Sequence, residues 1–279
     1  MKTVTKGEEV QIGNKIDKPK RRSNRNFIDR IPNKAWLGIS LLVAIMFWTI
    51  LSVLPSTSRS FPNVFLVAES IGTMIERGVF TKDFASSLIS ILSGFGLGFV
   101  LSLPIAILMA WYRPVRFIIE PWIQFIRNIP PLAYVPLVVI SAGVGRTPQI
   151  IVITIATFLT MTITIYQGVR NIDQTLIKAA RVLGAKDKDI FLRVIAPASL
   201  PFIMTAIRLG TAVALTSLIA AESTGASAGL GMRIRALSNT FESSPMLLYI
   251  IIIGIIGLIF EKLAKVLERR LTGWQDKVE

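Results

Sequence analysis

Residues 84–111 read FASSLISILSGFGLGFVLSLPIAILMAW. The run is apolar, carries no charged side chain, and is long enough to cross about 30 Å of hydrocarbon, which takes roughly 20 residues of helix. Gly94, Gly96 and Gly98 within it are small enough to let neighbouring backbones approach. The composition supports a membrane setting: 52% of residues are hydrophobic and mean hydropathy is +0.60. Only 17% are charged, where a soluble domain carries roughly a quarter.

Upstream, residues 55–84 are more polar and predict a periplasmic segment with a short amphipathic helix at about Asn63–Arg77. Residues 35–54 form a first apolar run, too long for a signal-peptide core and without a small-residue cleavage site, so they predict a retained transmembrane helix. Residues 1–34 are basic and polar, centred on Lys18-Pro19-Lys20-Arg21-Arg22. They predict a cytoplasmic tail that touches anionic lipid headgroups.

Downstream, Arg113-Pro114 and Arg116 mark the exit of the second span. The third span, about Pro121–Ala142, contains Pro121, Pro130, Pro131 and Pro136 together with Arg127 and Asn128. Its apolar part, Leu132–Ala142, reaches only about 17 Å as helix and cannot cross alone. A broken helix packed within protein is predicted, with the break at Arg127-Asn128-Ile129-Pro130-Pro131. Further spans follow at about Pro148–Gln167, Ala198–Ala221 and Pro245–Ala264, the last leading into a basic amphipathic tail at 265–279. The fold class is therefore all-α, a polytopic membrane protein with about six transmembrane helices.

Charge orients it. One set of flanking segments, counted with Lys262 at the edge of the last span, carries 23 Lys and Arg and the opposite set carries 6. The excess marks the cytoplasmic face and places both termini there. The net charge of +14 is thereby explained by the membrane rather than by nucleic acid. The chain has no cysteine and no histidine. Disulfides, thiolate chemistry, sulfur metal sites and the commonest general base are excluded. No catalytic residue, metal ligand or cofactor is expected.

The cytoplasmic loop 168–197 carries a helix–glycine–helix pattern. Asp173 is an N-cap, Gln174–Leu183 are helix formers, and Gly184 supplies a left-handed C-cap. A second helix fits Lys188–Ile195, with Asp187 as cap and Pro197 as stop. Leu176, Ala179, Ala180 and Leu183 share one face. The residues alone leave two readings open: a shallow face that enters a partner's groove, or a loop packed on its own protein.

The stretch Lys178-Ala179-Ala180-Arg181-Val182-Leu183-Gly184, then Val194 and Ala196-Pro197, resembles the "EAA" loop of binding-protein-dependent ABC transporter permeases. Spacing matches throughout, while Lys178 replaces the Glu and Ala196 the Leu, so a Glu salt bridge to the ATPase does not transfer. The resemblance implies that this loop is the coupling helix, with Leu176, Lys178, Ala179, Ala180, Leu183, Gly184 and Ala185 at the ATPase. From about residue 85 onward, Arg127–Ala133, Gly143-Val144-Gly145, Ala220-Ala221-Glu222 and Gly229-Leu230-Gly231 resemble the nitrate/sulfonate/taurine/bicarbonate branch. Leu271-Thr272-Gly273-Trp274 is most similar to the taurine and aliphatic sulfonate permeases.

The resemblance implies a type I ABC importer transmembrane domain in the inner membrane, with a permease core at 85–264. Its implied partners are a second copy of this chain, an ATPase dimer and a periplasmic or lipid-anchored binding protein. The cargo implied is taurine or another aliphatic sulfonate. Nitrate, bicarbonate or a thiamine precursor is the alternative cargo, and a stand-alone secondary transporter or a lipid-handling membrane enzyme the alternative class.

Pathway candidates are Arg127, Asn128, Arg208, Thr216 and Glu222. Arg208, near the midplane, attracts the anion or bonds carbonyls at a subunit interface. Arg127 gates, pairs with Glu120, or caps backbone freed by Pro130-Pro131. Glu222 contacts Arg233 or Arg235, or forms an outer gate. The threonines of the fourth span (Thr154, Thr157, Thr160, Thr162, Thr164) line a pathway or bond their own i−4 carbonyls. Gly229-Leu230-Gly231 is too short for a phosphate loop and no Gly-Lys-Ser/Thr follows, so ATP binding belongs to the partner.

Overall fold

The computed structural model describes residues 32–273, which are helical or in short connections, with no strand among them. The basic tail up to residue 31 and the chain from Trp274 onward lie outside the described residues. The chain divides into two units, one ending at Phe47 and one beginning at Trp48. Helix α1 (Asn33–Val53) runs through that boundary. From Ala35 to Phe47 its residues are exposed and largely apolar, as suits a surface solvated by lipid.

In the second unit, α2 (Val64–Glu76) begins where the sequence places it: Asn63 caps it by accepting from the Phe65 N–H at 3.0 Å. The long α3 (Val79–Trp111) follows, then α4 (Arg113–Arg127), α5 (Pro131–Ala142) and α6 (Arg146–Arg170). The cytoplasmic unit comprises α7 (Gln174–Val182) and α8 (Asp187–Ile190). After it come α9 (Ala196–Gly225), α10 (Leu230–Asn239) and α11 (Ser243–Leu271).

Helix α6 is the centre of this unit. Of its apolar window 61% is buried, against 28% for α3. The α3–α6 contact depends on Gly94 and Gly98: a Cβ on Gly94 would come within 2.6 Å of the Ile153 Cβ, and one on Gly98 would overlap the Thr157 hydroxyl. Gly96 faces open space instead. Residues four apart share a helix face and residues two apart do not, so only two of the three glycines serve the contact.

Among the described residues five helices are long and apolar enough to cross a membrane, and α4 with α5 form a pair bent by 102° at residues 128–130. The pair is a broken span rather than a hairpin returning to its own side. Ile123 of α4 packs with Met109 and Met161 in the inner half of the helices, and Ile126 packs against the same cluster. Beyond the far end of α5, the Gly145 N–H donates to the Gly225 carbonyl at the outer end of α9, at 3.1 Å. With the pair counted as one span, the described residues offer up to six crossings.

One prediction is corrected here. Pro197 does not stop the second loop helix. Helix α8 continues through a π turn (Phe191–Ile195) directly into α9, making one 39-residue helix from Asp187 to Gly225. The Ala196 N–H bonds the Phe191 carbonyl, five residues back. A proline has no N–H and its ring crowds the carbonyl four residues earlier, and the wider π turn accommodates both. Asp187 is the first residue of α8 rather than its cap, where its charge still suits the helix N-terminus. The polar stretch at 222–244 also holds a helix of its own, α10, and α11 runs past Ala264 to Leu271.

Candidate functional site: a capped cytoplasmic helix, a cavity at the broken span, and a buried outer cluster

At the cytoplasmic face, α7 is closed at both ends by its own neighbours. Asp173 accepts from the Thr175 N–H at 2.8 Å, and that hydrogen bond holds its carboxyl below its ordinary pKa. At the other end Gly184 sits at φ +80°, its N–H bonding the Arg181 carbonyl while the Ala185 N–H reaches the Ala180 carbonyl, each at 3.0 Å. These are the two bonds of a Schellman cap, which needs a residue free to adopt positive φ.

The structure divides α7 into a side packed on its own protein and a side left exposed. Ile177, Ala180 and Ala185 pack against a cluster of Ile172, Ile190 and Ile195. Ala180 and Ala185 are thereby turned inward, away from a partner. Leu176, Lys178, Ala179 and Leu183 remain outward, and Val182 joins them; Val182 and Leu183 are each 87% exposed. Sequence reasoning missed Val182 because it falls off the stripe defined by Leu176 and Ala180.

At the broken span, an open cavity of about 290 Å³ is lined by the end of α4, the start of α5, and the middles of α6 and α9. Arg127, Tyr134, Thr160 and Thr216 supply its polar groups. Helix α5 begins here without a side-chain cap, so its amide end contributes partial positive charge. Arg127 is exposed and makes no ion pair among the described residues; Glu120 pairs instead with Arg116, at 3.9 Å. Asn128 caps α4 at the break but does not line the cavity. The Thr160 hydroxyl bonds the Ala156 carbonyl, as Thr157 and Thr164 bond carbonyls four residues back, while Thr154 reaches across to the Gly94 carbonyl of α3.

Arg208 and Glu222 are placed elsewhere. Arg208 forms an ion pair with Glu268, tying α9 to the inner end of α11. The partner was missed because α11 carries Glu268 as helix well past the expected end of the span at Ala264.

Glu222 is 1% exposed and contacts neither Arg233 nor Arg235. One of its oxygens accepts from the Ser87 hydroxyl at 2.7 Å and the other from the Gly231 N–H at 2.8 Å. Arg233 belongs to Asp83, with Nε to Oδ2 at 2.7 Å, and that bond raises the already high guanidinium pKa further. Asp83, fully buried, also accepts from the Gly229 N–H and the Tyr249 hydroxyl, while Ser87 accepts from the Leu230 N–H. The unsatisfied N–H groups that open α10 are thus met by side chains of α3 and α9. Gly229, at φ +147°, lies so close to Glu222 that a Cβ would overlap the carboxylate. Sequence reasoning missed Asp83. Its one signal was the four-residue spacing to Ser87, which shares a face with it.

No group of three or more metal-ligating side chains occurs among the described residues. Residues 98–273 match the family described as "Binding-protein-dependent transport system inner membrane component". The chain is 42% identical over 244 residues to a probable ABC transporter permease protein of Brucella abortus, covering 86% of this chain and 97% of that one. It is 31% identical over 250 residues to the taurine transport system permease protein TauC of Escherichia coli, covering 87% and 90%. Against the bicarbonate transport system permease protein CmpB of Synechococcus elongatus it is 30% identical over 196 residues, covering 70% of each chain. Among solved structures it resembles an inward-facing conformation of the MetNI methionine ABC transporter, with TM-score 0.62 and 19% identity, covering 70% of this chain and 97% of that one.

Proposed function

The chain belongs to the inner membrane components of binding-protein-dependent transport systems, and from that premise we propose that it carries a small oxyanion, a sulfonate such as taurine, through a homodimeric pathway. Membership makes it the permease subunit of an ABC importer, working with an ATPase and a substrate-binding protein. The cargo and the second copy are the proposal.

The observation that carries the anion reading is the cavity at the broken span. There an unpaired Arg127 and the uncapped start of α5 face the same space as the Thr216 and Thr160 hydroxyls. Positive charge inside a membrane protein is costly unless an anion or a carbonyl balances it. Half-helix amide ends suit the anionic groups of transported substrates. The resemblance of this chain to a taurine permease, at 31% identity, favours a sulfonate over other oxyanions.

Coupling follows from the helices. The outward residues of α7 (Leu176, Lys178, Ala179, Val182 and Leu183) dock on the ATPase, while Gly184 and Ala185 shape the turn. The rod from Asp187 to Gly225 joins that unit to the cavity wall at Val213 and Thr216, and carries Glu222 near its outer end. A displacement at the ATPase is therefore transmitted along one helix to the pathway and to the outer cluster.

The test is reconstitution of the chain with its ATPase and binding protein in liposomes, with uptake of taurine, ethanesulfonate, nitrate and bicarbonate compared. Sulfonate uptake driven by ATP, with a raised KM in Arg127→Ala, is expected. Uptake of nitrate or bicarbonate without sulfonate would overturn the cargo and leave the importer standing.

A further inference from the structure

A second cavity opens at the outer face, about 320 Å³ in volume, between the starts of α3 and α6 and the turn at 227–228. We propose that it is a collecting site for compact oxyanions, in which Lys82, Arg146 and Gln149 capture cargo before it reaches the broken span. The inference rests on the anion-importer reading above.

The distribution of charge argues for it first. The outer segments carry only 6 Lys and Arg, as the orientation rule requires. Lys82 and Arg146 both line this cavity, are exposed, and make no ion pair among the described residues. Arg233, by contrast, is taken by Asp83. Two unpaired cations facing one concavity on a cation-poor surface attract anions, and low-dielectric walls focus that field.

Gln149 argues for it second. It lines the cavity although only 2% exposed. Its Oε1 accepts from the Ser90 hydroxyl at 2.7 Å, which fixes the amide and leaves the NH2 as its remaining polar group. A fixed donor in the same cavity as two cations suits an acceptor-only ligand such as a sulfonate, nitrate or bicarbonate. Arg146 also opens α6, and Gly145 supplies no side-chain cap to the amide end of that helix.

Position argues third. Gln149, Ala156 and Thr160 stand at i, i+7 and i+11 on α6, so they share one stripe of that helix. The first lines the outer cavity and the other two line the inner one. At 1.5 Å per residue the inner site begins about 10 Å and reaches about 16 Å from Gln149 along α6.

The test is equilibrium binding of ethanesulfonate, nitrate and bicarbonate, each isotope-labelled in turn, at low ionic strength to the full chain with its ATPase in neutral-lipid nanodiscs. Competitors are nitrate, bicarbonate and the uncharged ethanesulfonamide. Displacement by the anions alone, and affinity lower by about tenfold in Lys82→Gln/Arg146→Gln, are expected from the loss of two exposed charge contacts. The charge-retaining Lys82→Arg/Arg146→Lys should keep the affinity, which separates loss of charge from loss of fold.

Binding that survives the outer double variant but vanishes in Arg127→Gln would overturn this site while leaving the cargo reading intact. Nitrate or bicarbonate binding without ethanesulfonate would keep the site and overturn the sulfonate. Weaker docking of the binding protein to the double variant, with anion affinity unchanged, would reassign the two cations to that interface. Absence of binding by every oxyanion would overturn the site.

Discussion

Helices α7 and α10 face the same physical problem and solve it oppositely. Each begins with N–H groups that have no partner inside the helix. In α7 the acceptor is Asp173, two residues from the N–H it binds. In α10 the acceptors are Asp83, Ser87 and Glu222, the first of them 146 residues away in sequence from Gly229. Helix α7 therefore carries its own ends and rests on a small apolar cluster. Helix α10 depends on α3 and α9 for the acceptors of its opening N–H groups. A self-contained helix suits docking on a moving ATPase, and a helix held from elsewhere suits an outer element that must follow the pathway.

The comparison can be broken most sharply at Asp83. Asp83→Ala leaves Arg233 and the Gly229 N–H without their acceptor, and loss of one partner of a buried pair costs about 3–5 kcal/mol. A large drop in the thermal unfolding midpoint of the purified chain is expected. An unchanged midpoint would falsify the claim that α10 is held from a distance.

Glu222→Ala should cost less, about 1–3 kcal/mol, because Ser87 and the Gly231 N–H are neutral groups left unsatisfied. Thermal unfolding measured beside Glu222→Gln checks this, since the amide keeps an acceptor and should retain most of the stability. Equal losses in both variants would point to charge instead of hydrogen bonding.

At the cytoplasmic end, Gly184→Val should strain the left-handed turn by about 1–2 kcal/mol, and the strain stays within the α7–α8 unit. Insertion and thermal unfolding should change little while receptor-stimulated ATP hydrolysis falls. Normal stimulation in this variant would remove α7 from coupling.

The smallest effect belongs to the fully solvated Asp173. Its pKa is held below the usual 3.8, so the ionised cap stabilises the helix above that value and is lost as pH falls through the lowered one. Association with the ATPase should therefore be independent of Asp173 ionisation from neutral pH down to about 4, and Asp173→Asn should resemble wild type. A change in ATPase co-purification between pH 7 and pH 5 that disappears in Asp173→Asn would contradict this.

Much of the fold was legible because the signals are local. Apolar runs near 20 residues, the cap at Asn63, the left-handed Gly184 and the proline break after Arg127 each depend on a few neighbouring residues and on hydrocarbon thickness. The pathway candidates fared differently because a side chain's partner across the bundle leaves no trace in spacing. Arg127 and Thr216 meet in one cavity, whereas Arg208 turns to Glu268 and Glu222 to Ser87 and Gly231. Pro197 misled for a related reason. The rule that proline ends helices holds for α-helical registry, and a π turn sidesteps it.

By itself, then, the sequence determined that this chain crosses a membrane about six times, which face is cytoplasmic, and where a cytoplasmic loop caps its own helix. Transfer of apolar groups from water, charge asymmetry and backbone capping act over a few residues and can be read along the chain. Only the tertiary structure decided which charges are paired. A carboxylate such as Asp83 finds its N–H and guanidinium partners through the packing of α3 against α6 and α9, and that packing depends on shape at positions such as Gly94 and Gly98.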